Sequence, residues 1–277
     1  MSRLTDSDPI PKRLPPVYGY LNHDLLSLKE AVQPISSLFP DLDSQVRIAK
    51  VGHHFPSEHG LTREESAAIY LYTMEWNDTS FFKIINEALR SENRGALKQW
   101  FGYLKLFHTA IQKLPSYRGN LWRGTSIDVA GKFNKNEEFV WWSITSCSTS
   151  LSVVKGFFKE NATLFLIEAS TAKDITKYTC FPSENEMVFE PGTRFQVVSD
   201  PINQLNFHVI HLKEITGDDD FNHRPVTVLS PELTEPTVLT KIHIDADGNH
   251  YDLLIPQLHT YNDLCCYRLK YQQKAAI

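Results

Sequence analysis

At Pro115 the chain changes its hydrophobic period, and this change limits the fold more than any other feature. From about Asn22 to Pro115 the apolar residues recur at helical spacing. "LNHDLLSLKEAVQPISSLF" puts Leu25, Leu26, Leu28, Ala31 and Val32 on one broad face. "LTREESAAIYLYTMEW" opens with Thr62 and carries Glu65 three residues later, the spacing of a capping box. "FFKIINEALRSENRGALKQWFGYLKLFHTAIQKL" continues the pattern with a break near Gly95. Beyond Pro115 come short segments rich in β-branched and aromatic residues: "NLWRGT", "EEFVWWSITSCSTS", "ATLFLIEA", "NEMVFEP", "TRFQVVS" and "NFHVIHLKEI". One helix, "LSVVKGFFKE", intrudes and leads directly into a strand. A single switch of period, without repeated β-α-β alternation, predicts an α+β fold with a mixed, mostly antiparallel sheet. The pattern argues against a doubly wound dinucleotide fold, and neither a G-x-G-x-x-G after a strand nor a P-loop is present.

The remaining composition narrows the function classes. A net charge of -5 gives no electrostatic argument for nucleic acid or an anionic membrane. The apolar runs fall short of the roughly 20 residues that a membrane span needs. "MSRLTDSDPIPKRLPPVYGY" lacks the apolar centre of a secretory signal, and its prolines and charges predict a flexible arm over residues 1–20. Cys147, Cys180, Cys265 and Cys266 form no C-x-x-C pair and have no histidine at zinc-ligand spacing, so we expect reduced thiols, a cytoplasmic setting and no metal. The sequons at Asn77 and Asn161 would then stay unmodified. "TGDDDFNHRP" reads as a linker, followed by two strands around an Asp247-Gly248 turn. "DADG" has its glycine too early for a calcium loop and lacks the distal glutamate.

Four features after Pro115 can carry chemistry. Arg123 and Gly124 end a strand in "LWRGT"; arginine suits phosphate and glycine permits close backbone approach, though alone they also fit a surface ion pair. "WWSITSCSTS" runs into hydroxyl residues that can orient a carboxylate, or merely solvate a strand end. Phe157 and Phe158 form an aromatic pair, of a kind more often found in a core than as a ligand platform. In "SENEMVFEPG", Glu184 and Glu186 stand two residues apart, the spacing that puts both on one strand face. Two such carboxylates repel, and at least one pKa should rise.

In their order, these segments resemble the arginine-specific ADP-ribosyltransferases of the Arg–Ser-x-Ser–Glu-x-Glu class. "LTREESAAIYLYT" and "IINEALR" resemble the helical segment that precedes the catalytic core in eukaryotic members, and "EMVFEPGTRFQVV" the run that follows the catalytic glutamate. The likeness covers roughly residues 24–215. It implies a two-sheet ADP-ribosyltransferase core over residues 116–216. A helical subdomain over 21–115 would pack on it, and 217–277 would form a linker and C-terminal β-hairpin extension. By the same resemblance NAD is the co-substrate and an arginine-bearing protein the acceptor, with no nucleic acid or membrane partner.

Carried over position by position, Arg123 would hold an NAD phosphate and Gly124 the nicotinamide carboxamide. Ser146 would position the catalytic glutamate, with Cys147 pointing away and Ser148 completing the motif. Phe157 would lie against the nicotinamide ring. Glu186 would be the catalytic glutamate and Glu184 the one associated with the arginine acceptor. "YTCFPS" would be the substrate-recognition loop, with Phe181 its exposed aromatic. An NAD glycohydrolase, a modifier of free arginine or agmatine, and a silent binding module remain as alternatives.

Overall fold

Thr62 starts a helix in the way its spacing predicts. Its hydroxyl accepts from the Glu65 amide (3.2 Å), while the Glu65 carboxylate accepts from the Thr62 amide (2.7 Å). This box opens α3, Arg63–Thr73. A second box, Ser27 with Glu30, opens α1, Leu28–Val32. Between them lies α2, Leu42–Gly52, and after them α4, Phe81–Arg90, and α5, Phe101–Gln112. The break expected near Gly95 is a 3-10 stretch, Arg94–Trp100. The computed structural model describes residues 3–5, 12–17, 19–76, 80–155, 162–203 and 207–217, all within one unit, Met1–Asn222. The expected C-terminal hairpin and Phe157 lie outside the described residues.

Among the described residues from Ser116 onward, besides two 3-10 turns, Ala130–Lys132 and Pro182–Glu184, the elements are strands with one short α-helix. They are β1, Ser116–Thr125; β2, Glu138–Trp141; β3, Thr145–Ser148; α6, Leu151–Lys155; β4, Ala162–Asp174; β5, Glu186–Phe189; β6, Thr193–Val197; β7, Ile202–Asn203; and β8, Phe207–Ile215. Among the described strands every pairing is antiparallel except β4 with β8. Instead of the two separate sheets implied by the resemblance, hydrogen bonding links all the strands into one network. β1, β3, β5 and β4 close into a ring, and the sheet runs on from β4 through β8 and β6 to β2. The long β4 makes this possible. It lies beside β1 and β8 along most of its length and reaches β5 with its last two residues, Lys173 and Asp174.

Two apolar cores lie on opposite faces of the strands that carry the motifs. The helices bury Tyr72, Phe81, Trp100, Tyr103 and Phe107, and this core reaches the sheet at Ile144, Ile175, Tyr178 and Val188. A second core contains Phe139, Trp141, Phe165, Phe189 and Phe195. Cys147 of β3 and Met187 and Phe189 of β5 belong to it. Strand alternation therefore turns Ser146, Ser148 and Glu186 toward the helices.

Candidate active site

β3 and β5 pair with Ser146 opposite Val188 and Ser148 opposite Glu186, so two motifs about 40 residues apart in sequence become neighbours on one face. The site is closed above by the end of α3 and by the loop that contains "YTCFPS". That loop is tied down at Tyr178 and Cys180. The Tyr178 hydroxyl lies 2.7 Å from Ser57 Oγ and 2.8 Å from His59 Nδ1, and the Cys180 amide donates to Thr73 Oγ1 (2.9 Å). Phe181 stays 37 % exposed, as expected of the loop's aromatic.

Glu184 does not reach Glu186 by strand alternation. β5 begins at Glu186, whereas Glu184 closes a 3-10 turn, Pro182–Glu184. Between them Asn185 takes a left-handed conformation (φ 47°, ψ 52°), which reverses the local direction and brings the two carboxylates together. Asparagine is among the few side chains that enter this region at modest cost. Ser148 Oγ donates to the Glu184 carbonyl (2.7 Å) and fixes the turn against β3.

Both carboxylates hold one guanidinium, that of Arg3. Its Nε donates to Glu186 Oε1 (3.1 Å), and its Nη2 donates to Glu186 Oε2 (3.0 Å) and Glu184 Oε2 (2.8 Å). Its Nη1 donates to the Thr73 carbonyl (2.5 Å), at the C-terminal end of α3 where a cation is favoured, and lies 3.6 Å from Glu75 Oε1. Its central carbon is 5.2 Å from the Phe181 ring centre and 5.9 Å from that of Phe82. Burial disfavours the Arg3 charge, but Glu186 and then Glu184 outweigh it, and the pKa is raised. Burial pushes Glu184 above the usual carboxylate range, against the pull of Arg3 and with the push of Glu186. The flexible arm expected over residues 1–20 thus does not hold for Arg3, Leu4 and Thr5, all of which are buried. Nothing local marks Arg3, because its partners lie some 70 to 180 residues away.

Arg123 is buried on β1 and bridges to β3. Its Nη1 donates to the carbonyls of Ser146 (2.8 Å) and Arg3 (3.1 Å). Among the described residues no carboxylate pairs with it. Its central carbon also lies 5.9 Å from the Trp141 ring centre. A buried cation met by carbonyls and a ring, with no carboxylate partner among the described residues, is suited to an anion. Thr125, two residues on and so on the same strand face, has a buried hydroxyl without a partner among the described residues. Gly124 is buried opposite Leu164.

Ser146 departs from its expected contact. Its hydroxyl lies 3.2 Å from that of Tyr72, while Glu186 accepts from Thr179 Oγ1 (3.3 Å) as well as from Arg3. Tyr72 comes from α3 and Thr179 from the recognition loop, so neither is flagged by the strand motifs. Cys147 points into the second core, as expected, and burial pushes its thiol up to about 12, which leaves it unreactive. Among the described residues no group of three His, Cys, Asp or Glu is placed to hold a metal.

The helices over a closed ring of strands, with an Arg–Ser–Glu cleft between them, define an ADP-ribosyltransferase-like architecture. The model of the NAD:arginine ADP-ribosyltransferase family matches residues 40–218, and the chain belongs to that family. It is also 29% identical over 153 residues to Mav of Mycobacterium avium (strain 104), which carries the name of an NAD(+)–arginine ADP-ribosyltransferase. That match spans 54% of this chain but only 18% of Mav. Among solved structures, the ADP-ribosyltransferase HopU1 of Pseudomonas syringae pv. Tomato DC3000 is similar, with a TM-score of 0.51 at 20% identity over 70% of this chain and 89% of that one. The type III effector XopAI of Xanthomonas axonopodis pv. citri has a TM-score of 0.51 at 19% identity, covering 72% and 92%. At these identities the structural likeness establishes the fold alone.

Proposed function

We propose that this chain is an NAD:protein-arginine mono-ADP-ribosyltransferase. The observation that carries the reading is the grip of Glu184 and Glu186 on a single guanidinium, the chemical group of the acceptor. In the reaction the bond between ribose C1 and nicotinamide breaks, and nicotinamide leaves as a neutral molecule with the bonding pair. The positive charge left on the ribose is the barrier, and a fixed carboxylate lowers it. Glu186, fully buried and oriented by Thr179, is assigned that task through the adjacent ribose hydroxyl. A nitrogen of the arginine then bonds to C1. A guanidinium is protonated at any physiological pH, so it needs a base, and Glu184 is assigned to orient it and accept its proton.

The other positions follow the family pattern. Arg123, without a carboxylate partner among the described residues, is the proposed phosphate ligand. Gly124 is the contact of the carboxamide and Phe157 that of the nicotinamide ring. Ser148 holds the Glu184 turn from β3, Ser146 lines the site beside Tyr72, and Phe181 meets the arginine acceptor. Residues 116–216 would form the catalytic core, 21–115 its helical subdomain and 217–277 an extension of separate role. A reducing, cytoplasmic setting belongs to the same proposal.

The test is turnover of NAD at saturating concentration with agmatine as acceptor, following nicotinamide release and labelled agmatine separately. Glu186→Gln should abolish both signals. Glu184→Gln should lose transfer while retaining hydrolysis of NAD. Equal loss of both activities in Glu184→Gln would contradict the division of tasks, and no nicotinamide release from the unmodified chain would sink the enzyme reading.

A further inference from the structure

We propose that Arg3–Thr5 is an internal arginine ligand that plugs the cleft, so that NAD and the arginine acceptor must displace it before either can bind. The proposal rests on reading the cleft as an ADP-ribosyltransferase site. The segment is a three-residue turn, and the Arg3 side chain is wholly buried. Burying an arginine is costly unless its donors and charge are met. Here the planar fork is met from three sides, by Glu186, by Glu184 and by the Thr73 carbonyl, with the Phe181 and Phe82 rings nearby. A lysine offers no such fork.

The same contacts make the segment and the substrates mutually exclusive. Arg3 uses both oxygens of Glu186, the group assigned to the ribose, and it uses Glu184, the group assigned to the acceptor. Its backbone carbonyl takes Nη1 of Arg123, the donor assigned to a phosphate. Leu4 is fully buried and clusters with Val154 of α6 and Leu164 of β4, with Trp122 and Leu151 packed against them. This apolar anchor holds the turn in register. A tethered ligand competes at high effective concentration. The apparent affinity for NAD is therefore scaled down by the fraction of molecules in which the cleft is open.

The experiment measures NAD and agmatine binding calorimetrically on the full chain, on Arg3→Ala and on Leu4→Asp. The last variant expels the anchor and leaves the carboxylates intact. Far-UV circular dichroism identifies which variants are folded, and either one suffices. The expected result is NAD binding at least about tenfold tighter in the folded variants, as for an open fraction near one tenth. Arg3→Lys should fall between the full chain and Arg3→Ala. Unchanged NAD affinity in the folded variants overturns the plug. If no form binds NAD, the enzyme reading fails and agmatine decides the plug by itself. Agmatine binding about tenfold tighter in Arg3→Ala than in the full chain upholds an occupied guanidinium site. Equal agmatine affinity, or none in either, removes it.

Discussion

Glu184 and Glu186 differ at the residue scale in how much water they keep. Glu186 is fully buried, whereas the Glu184 side chain is 13% exposed at the mouth of the turn. Glu184 carries the raised pKa, first through burial, with Arg3 opposing and Glu186 reinforcing the rise. A carboxyl raised on folding stabilises the native state fully below the unfolded value, near 4.5, and loses that contribution as pH climbs through the folded value. Its work as a base runs the other way and requires the ionised form. Arginine transfer should therefore show an acidic limb above 4.5 that hydrolysis in Glu184→Gln lacks. In the substrate-free chain Arg3 lowers this pKa, so the limb of kcat/KM, which reports the free enzyme, should move to higher pH in Arg3→Ala. A pH profile of transfer measures both, and a limb unmoved in Arg3→Ala would refute the electrostatic account of Glu184.

At the scale of elements, the active pair depends on a turn joined to a strand rather than on a strand alone. Asn185 holds the left-handed conformation that lets Glu184 and Glu186 converge. Asn185→Gly should keep that geometry. Asn185→Val should cost about 1–3 kcal/mol, because a β-branched residue is strained there. It should also depress arginine transfer more than nicotinamide release, since Glu184 moves while Glu186 stays paired in β5. Urea denaturation gives the first effect and the two-signal assay the second. Equal behaviour of the glycine and valine variants would show that the turn does not set the pair.

For the whole molecule, the helices support the strand residues as well as the core. Asn86 of α4 grips Ile144 twice, its Nδ2 donating to the Ile144 carbonyl (3.1 Å) and its Oδ1 accepting from the Ile144 amide (3.0 Å). Tyr72 of α3 donates to the same carbonyl (3.1 Å). These bonds position the residues just before Ser146 and therefore the floor of the cleft. Asn86→Ala leaves the buried Ile144 amide without its partner, while the Ile144 carbonyl keeps Tyr72. It should destabilise the chain by about 1–3 kcal/mol, the cost of one buried donor left unsatisfied. Nicotinamide release should fall with it, although Asn86 touches no proposed substrate. Denaturant titration alongside turnover checks this, and a fully stable variant would show that the clamp is dispensable.

The helical capping of α3 and the break before α5 were legible from period and spacing. Such features depend on neighbours within a few residues, where backbone sterics and local hydrogen bonds decide. The family was legible through the order of Arg123, Ser146 and Glu186, and its model matches residues 40–218. Other features depended on contacts between distant segments. The single strand network follows from how the length of β4 is shared among its partners. The turn at Asn185 replaced the strand that a two-residue spacing suggested. Thr179 and Tyr72 entered from other elements, and Arg3 entered from the far end of the unit. By itself the sequence determined the elements and the identities of the acid pair. Only the tertiary structure decided what that pair holds, because the affinity of two buried carboxylates for a guanidinium acts through space and leaves no periodic trace in the chain.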